Sequence, residues 1–134
     1  MALDCDKYIG TPFLDGGRDI SHGLDCWGLI KSFYKDTFDI DLPEYHVSAF
    51  DIDEVVGNMD RDKEIYWERL DNREEGCVVA MAIHPRYPDM INHVGVMIGT
   101  SSFLHTQKVT GAIISPLNSI AYSQRIRGYY KWVG

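Results

Sequence analysis

A change of texture at Gly76 restricts this chain more than any other feature. Beyond it, apolar segments at 77–83, 93–98, 102–106 and 111–114 follow one another, each rich in strand formers and each closed by turn residues. A further strand is predicted at 127–132, around Gly128, Tyr129 and Tyr130. Before Gly76 the pattern is helical. Trp27, Ile30, Phe33 and Tyr34 recur on one face behind Asp25, a good N-cap, which predicts a helix over 25–34. A shorter helix is expected over 3–9, ending at Gly10. Helices first and a meander of strands afterwards imply an α+β domain, with N-terminal helices packed on a central antiparallel sheet.

The segment 10–23 is dense in glycine, proline and aspartate, and reads as a surface loop leading into the helix at Asp25. Residues 38–73 mix charges with isolated apolar positions such as Val55, Ile65 and Trp67, and are expected to form short helices and loops. No repeat or low-complexity linker interrupts the 134 residues, so one domain over 1–134 is expected. A chain of this length buries roughly two thirds of its unfolded surface and needs neither disulfide nor metal to fold.

The formal charge of -7 argues against a nucleic-acid partner, because phosphate binding requires a basic face. An anionic membrane is disfavoured for the same reason. Cys5, Cys26 and Cys77 form no CxxC pair and are odd in number, so neither a disulfide framework nor a zinc ribbon is expected. From Met1 the chain reaches Asp4 and Asp6 before any apolar run of signal-peptide length, and no later segment has the length of a membrane span. The expectation is synthesis in the cytoplasm, without signal peptide or membrane anchor.

Cys26 falls one residue beyond the Asp25 cap, where free backbone N–H groups and the positive end of the helix dipole favour an anion. A thiolate of lowered pKa is expected there, usually completed by a histidine. The same N–H groups can hold the oxyanion formed when a carbonyl is attacked. The plainer alternative is a small buried hydrophobe, the usual state of a lone cysteine. His93 opens an apolar strand on the face opposite Val94, Val96 and Ile98, and His105 shares a face with Phe103 and Gln107. If the two strands form a hairpin through Gly99–Ser102, the histidines lie side by side and the second orients the first. His22, His46 and His84 show no convincing ligand spacing, so no metal site is expected, and nothing calls for a cofactor.

Four stretches carry a resemblance. They are Tyr8-Ile9-Gly10-Thr11-Pro12-Phe13-Leu14-Asp15-Gly16-Gly17, Gly23-Leu24-Asp25-Cys26-Trp27-Gly28-Leu29, His93-Val94-Gly95-Val96-Met97-Ile98-Gly99 and Phe103-Leu104-His105. In this order they resemble the NlpC/P60 cysteine peptidases. The Asp25-Cys26-Trp27-Gly28-Leu29 form, the preceding Gly16-Gly17-Arg18 and the closing Arg127-Gly128-Tyr129-Tyr130 resemble the short members encoded with bacteriophage tail genes. The resemblance implies a papain-like fold, Cys26 as nucleophile, His93 as general base and His105 as the residue orienting it. It places Asp25, Phe13 and Trp27 at the oxyanion and substrate pocket. The implied substrate is the bacterial cell-wall stem peptide, typically cut after D-glutamate at its γ-linkage to a diamino acid. The implied setting is the virion tail, with tail-tip proteins as partners and delivery to the host wall.

The sequence departs from the family pattern twice. Many members have tyrosine at the position of Phe13, which cannot donate a hydrogen bond, so backbone N–H groups at Cys26 have to hold the oxyanion. Cys77 stands where aspartate is common, and is expected to be a buried structural residue. Two further readings stay open. The domain can serve as a catalytically weak or inactive structural part of a tail tip, or its thiol can act as an amidase or acyltransferase on another substrate.

Overall fold

The computed structural model describes residues 3–44, 66–83, 86, 88–89 and 91–134. His46, His84, Val55 and Ile65 lie outside the described residues. The expected short helices between 38 and 73 can be judged only at either end of that stretch.

The longest helix, α1 (Cys26–Phe38), is capped by Asp25, whose carboxylate accepts the Gly28 N–H at 2.7 Å. It runs one turn further than the apolar spacing predicts. The added turn is held by Phe38, which packs edge-on against Phe33 and Tyr34, and by Asp39, which closes the helix in the left-handed conformation at φ 56°. The expected N-terminal helix is only a 3₁₀ turn, η1 (Asp6–Tyr8). Its N-cap residue, Cys5, makes no side-chain capping bond, and Gly10 follows within one turn, so too few residues remain for a stable α-helix.

Among the described residues there are eight strands, in chain order: β1 (Arg18–Asp19), β2 (Gly23–Leu24), β3 (Trp67–Leu70), β4 (Val78–Met81), β5 (His93–Met97), β6 (Ser102–Gln107), β7 (Gly111–Pro116) and β8 (Ile126–Trp132). The last five match the segments read from the sequence. The first three do not. β1 and β2 make a small antiparallel hairpin inside the stretch expected to be loop. β3 stands where short helices and loops were expected. Trp67 is fully buried on it, between Trp27 and Trp132, so tertiary packing overrides the charged neighbours Glu68 and Arg69.

The main sheet has the order β3-β8-β4-β5-β6-β7, and neighbouring strands pair antiparallel throughout. Alternation along the strands divides the core into two layers. Val78, Ala80, Val94, Val96, Leu104 and Ala112 pack with Leu29, Ile30 and Phe33 of α1. Cys77, Val79, Met81, Met97 and Phe103 face the other way and are covered by Leu117 and Tyr122 from the β7–β8 connection and by Ile126 at the start of β8. Burial on both faces explains why β4 and β5 are apolar without interruption apart from His93. The architecture is the expected α+β arrangement, with one α-helix rather than several among the described residues.

Candidate active site

The loop before α1 folds back over the helix N-terminus. Gly16 N–H donates to Asp25 Oδ2 at 3.1 Å, and Arg18 Nη1 donates to Asp25 Oδ1 at 2.6 Å and to the Gly17 carbonyl at 2.8 Å. Arg18 Nε also bonds Glu44 Oε1 at 2.9 Å. Asp25 is 1% exposed, so its carboxylate is taken out of water and held by two N–H groups and a guanidinium. The approach is close enough to require glycine. A Cβ on Gly28 would stand 2.1 Å from the Gly17 carbonyl oxygen, and one on Gly17 would stand 2.3 Å from that of Gly23.

Cys26 begins α1 and is 3% exposed. Its sulfur meets the backbone N–H groups of Val94, Trp27 and Cys26 itself, all of which favour a thiolate. The expected lowering of its pKa is nevertheless not found. Burial, reinforced by the negative charge of Asp25, outweighs those N–H groups and pushes the thiol up to about 12.

His93 opens β5, one residue before the N–H that touches the sulfur. Asn92 fixes that strand end, its N–H donating to the Met81 carbonyl and its side chain accepting from Ile83 N–H at 2.9 Å. His93 Nε2 lies 2.7 Å from His105 Nδ1, with the rings edge-to-face at 4.9 Å. Gly95 makes room for this pair, since a Cβ there would stand 2.8 Å from the Phe103 ring and 3.3 Å from His105 Cβ. Both histidines are buried, and desolvation lowers His93 to about 3, assisted by His105, and His105 to about 4. Thiol and imidazoles are therefore all neutral at pH 7. Among the described residues no hydrogen bond joins Cys26 to the His93 ring.

The structure sets Cys26 and Asp25 at the start of α1 against the Val94 N–H of β5, and pairs His93, the residue before Val94, with His105. Phe13 is half-buried and tied to this region through a parallel bridge to Leu24, two residues before Cys26. Trp27 is placed differently from a pocket residue. It is 1% exposed, packs against Trp67, and its indole N–H donates to the Pro43 carbonyl at 3.1 Å, so its side chain belongs to the core. Asp25 likewise acts through the helix cap and Arg18 rather than through an exposed carboxylate. Among the described residues no group of His, Cys, Asp and Glu is arranged to hold a metal. No described helix is long and apolar enough to cross a membrane.

Arg18 and Ser115 were not identified as site residues from the sequence. For Arg18 the signal was the buried cap itself, since a desolvated carboxylate calls for a cation and Gly16-Gly17-Arg18 is the adjoining basic stretch. For Ser115 the signal was the β6–β7 register, which sets Phe103 opposite Ser115 and so places the hydroxyl on the His105 face.

The NlpC/P60 family model matches residues 10–131. The chain is 26% identical over 128 residues to the gamma-DL-glutamyl hydrolase of Bacillus subtilis, covering 96% of this chain and 28% of that protein. It is 26% identical over 109 residues to the murein DD-endopeptidase MepS/murein LD-carboxypeptidase of Escherichia coli, covering 81% of this chain and 50% of that protein. The chain thus spans half or less of the length of these relatives. Among solved structures, the NlpC/p60 domain of the peptidoglycan hydrolase SagA superposes with a TM-score of 0.62 at 19% identity, covering 94% of this chain and 91% of that one. An NlpC/P60 family protein from Bacillus cereus superposes with a TM-score of 0.67 at 20% identity, covering 95% and 37%. At these identities the structural matches establish the shared fold.

Proposed function

Because the chain belongs to the NlpC/P60 family, we propose that it is a thiol hydrolase of bacterial cell-wall stem peptides, with Cys26 as nucleophile, His93 as general base and His105 orienting that base. The observation that carries this reading is the meeting of three elements at one point. The sulfur of the residue that opens α1 touches the N–H of Val94, and its neighbour His93 is bonded at 2.7 Å to His105. Two relatives named as a glutamyl hydrolase and a murein endopeptidase support the substrate class.

The chemistry follows from the groups present. As Sγ attacks the scissile carbonyl carbon, its proton passes to His93, and the negative charge moves to the carbonyl oxygen. Backbone N–H groups at the start of α1 hold that oxygen, since Phe13 offers no hydroxyl. Collapse expels the amine, which takes the proton from His93 and leaves a thioester on Cys26. Water, deprotonated by His93, then releases the acid and restores the thiol. Both groups start neutral, so proton transfer accompanies attack rather than preceding it as a stored thiolate–imidazolium pair.

The setting proposed for this activity is a phage tail that opens the host wall locally. It is supported by the Gly16-Gly17-Arg18, Asp25-Cys26-Trp27-Gly28-Leu29 and Arg127-Gly128-Tyr129-Tyr130 forms. Mass spectrometry of purified tails tests it, and tails that infect without the chain would remove it. A second reading, a structural tail part without chemistry, draws on the raised Cys26 thiol and the absence of a Cys26–His93 hydrogen bond.

Digestion of defined muropeptides, with products read by mass spectrometry, separates these readings. A peptidase yields two fragments differing from substrate by one water, and Cys26→Ala yields none at unchanged melting temperature. Transfer of the acyl group to an added amine would instead indicate an acyltransferase, and no reaction at all would favour the structural role.

A further inference from the structure

The polar chain does not end at His105. His105 Nε2 lies 2.7 Å from Ser115 Oγ on β7, at a buried residue that is 7% exposed. Beyond it, the Tyr122 hydroxyl is turned toward Ser115 and toward Gln107 of β6. The Tyr122 ring stands edge-on to His105 at 5.1 Å and to Phe103 at 5.3 Å, so it closes the far side of the histidine pocket. Tyr122 is itself half-buried, at the boundary with solvent.

A neutral imidazole carries one N–H, so each bond in such a row fixes the next. His93 can accept the Cys26 proton at Nδ1 only if its own proton is on Nε2. That N–H must then donate to His105 Nδ1, which places the His105 proton on Nε2. His105 Nε2–H needs an acceptor in a buried site, and Ser115 Oγ is the atom in reach. The Ser115 hydroxyl proton is then directed to the Tyr122 oxygen. With the opposite polarity, His105 Nδ1–H would donate to His93 Nε2 and the His93 proton would sit on Nδ1, where it blocks transfer from the thiol.

We propose that Ser115, backed by Tyr122, is a positioning residue that sets the direction of the His93–His105 hydrogen bond and so keeps His93 Nδ1 open as the base. The proposal rests on the assignment of His93 as general base, but its primary readout does not require activity. Ser115 does not touch the reacting atoms. It acts through His105.

The test is the tautomer of each ring, read by long-range ¹H–¹⁵N correlation on protein labelled at histidine, at neutral pH. Both His93 and His105 are expected with Nε2 protonated and Nδ1 bare. In Ser115→Ala, His105 loses its acceptor and the pair becomes a mixture of the two polarities. With a muropeptide substrate, kcat is expected to fall about tenfold with KM unchanged, the rate equivalent of one lost hydrogen bond. Ser115→Thr restores both readouts. Tyr122→Phe keeps the ring in place and removes the terminal oxygen, and it shifts the tautomer mixture in the same direction should Ser115→Ala fail to fold. A His105 found with Nδ1 protonated in the wild type, or one whose tautomer is the same in wild type and both variants, overturns the proposal. An inactive wild type with the expected tautomers contradicts the hydrolase reading while leaving the tautomer assignment standing.

Discussion

Cys26 and His93 are both buried, and burial has a thermodynamic consequence at the level of single residues. His93 and His105 titrate at about 3 and about 4 when folded, below the ordinary 6.5. Between those limits the unfolded chain binds protons that the folded chain refuses, so stability is complete above about 6.5 and is lost as pH falls. Each histidine adds up to about 1.4 kcal/mol of loss per pH unit in that window. The urea midpoint is expected to fall steadily from pH 7 to pH 5, before carboxylates contribute, and His93→Gln should flatten the slope by about one proton. A midpoint unchanged across that range would show that the histidines are not desolvated. The place of Cys26 at the first turn of α1 was legible in the sequence because an N-cap followed by cysteine is a local pattern. Its raised pKa was not, because burial by the β5 strand is a long-range property, and it outweighs the helix N–H groups.

The junction between α1 and the preceding loop is the element on which the site depends. Its fit is set by Gly17 and Gly28 and by the bond from Arg18 to a buried Asp25. Gly28→Ala should destabilise by about 2 kcal/mol or more, because the added carbon meets backbone rather than a flexible side chain. Arg18→Gln leaves the Asp25 carboxylate buried without its cation and should cost about 3 kcal/mol, the low end for a broken buried pair because Arg18 is partly exposed. Asp25→Asn combined with it should recover part of that loss. Chemical denaturation of the four proteins of the cycle checks this, and additive losses would contradict the pairing. At this scale the sheet was readable, since β4 through β8 announce themselves by apolar runs between turns. The β1–β2 hairpin was hidden because its strands have two residues each, and β3 because its two exposed charges mask one deeply buried tryptophan.

For the molecule as a whole, α1 covers one face of a six-stranded sheet while the histidines lie on the other face, at the strand end where β5 begins. Cys26 meets the start of β5 because it is the first residue of its helix and Val94, whose N–H its sulfur meets, is the second of its strand. The family motifs made this arrangement readable in order but not in geometry. The continuation to Ser115 and Tyr122 depends on register and on a connection with few strand or helix signals. In the proposed reaction a substrate acyl group passes through Cys26. Acid quench of a muropeptide reaction during turnover, followed by peptide mapping, is the most direct measurement of it. A thioester is expected on the peptide containing Cys26, absent in Cys26→Ala. A thioester on Cys77 instead, or cleavage undiminished in Cys26→Ala, would contradict it.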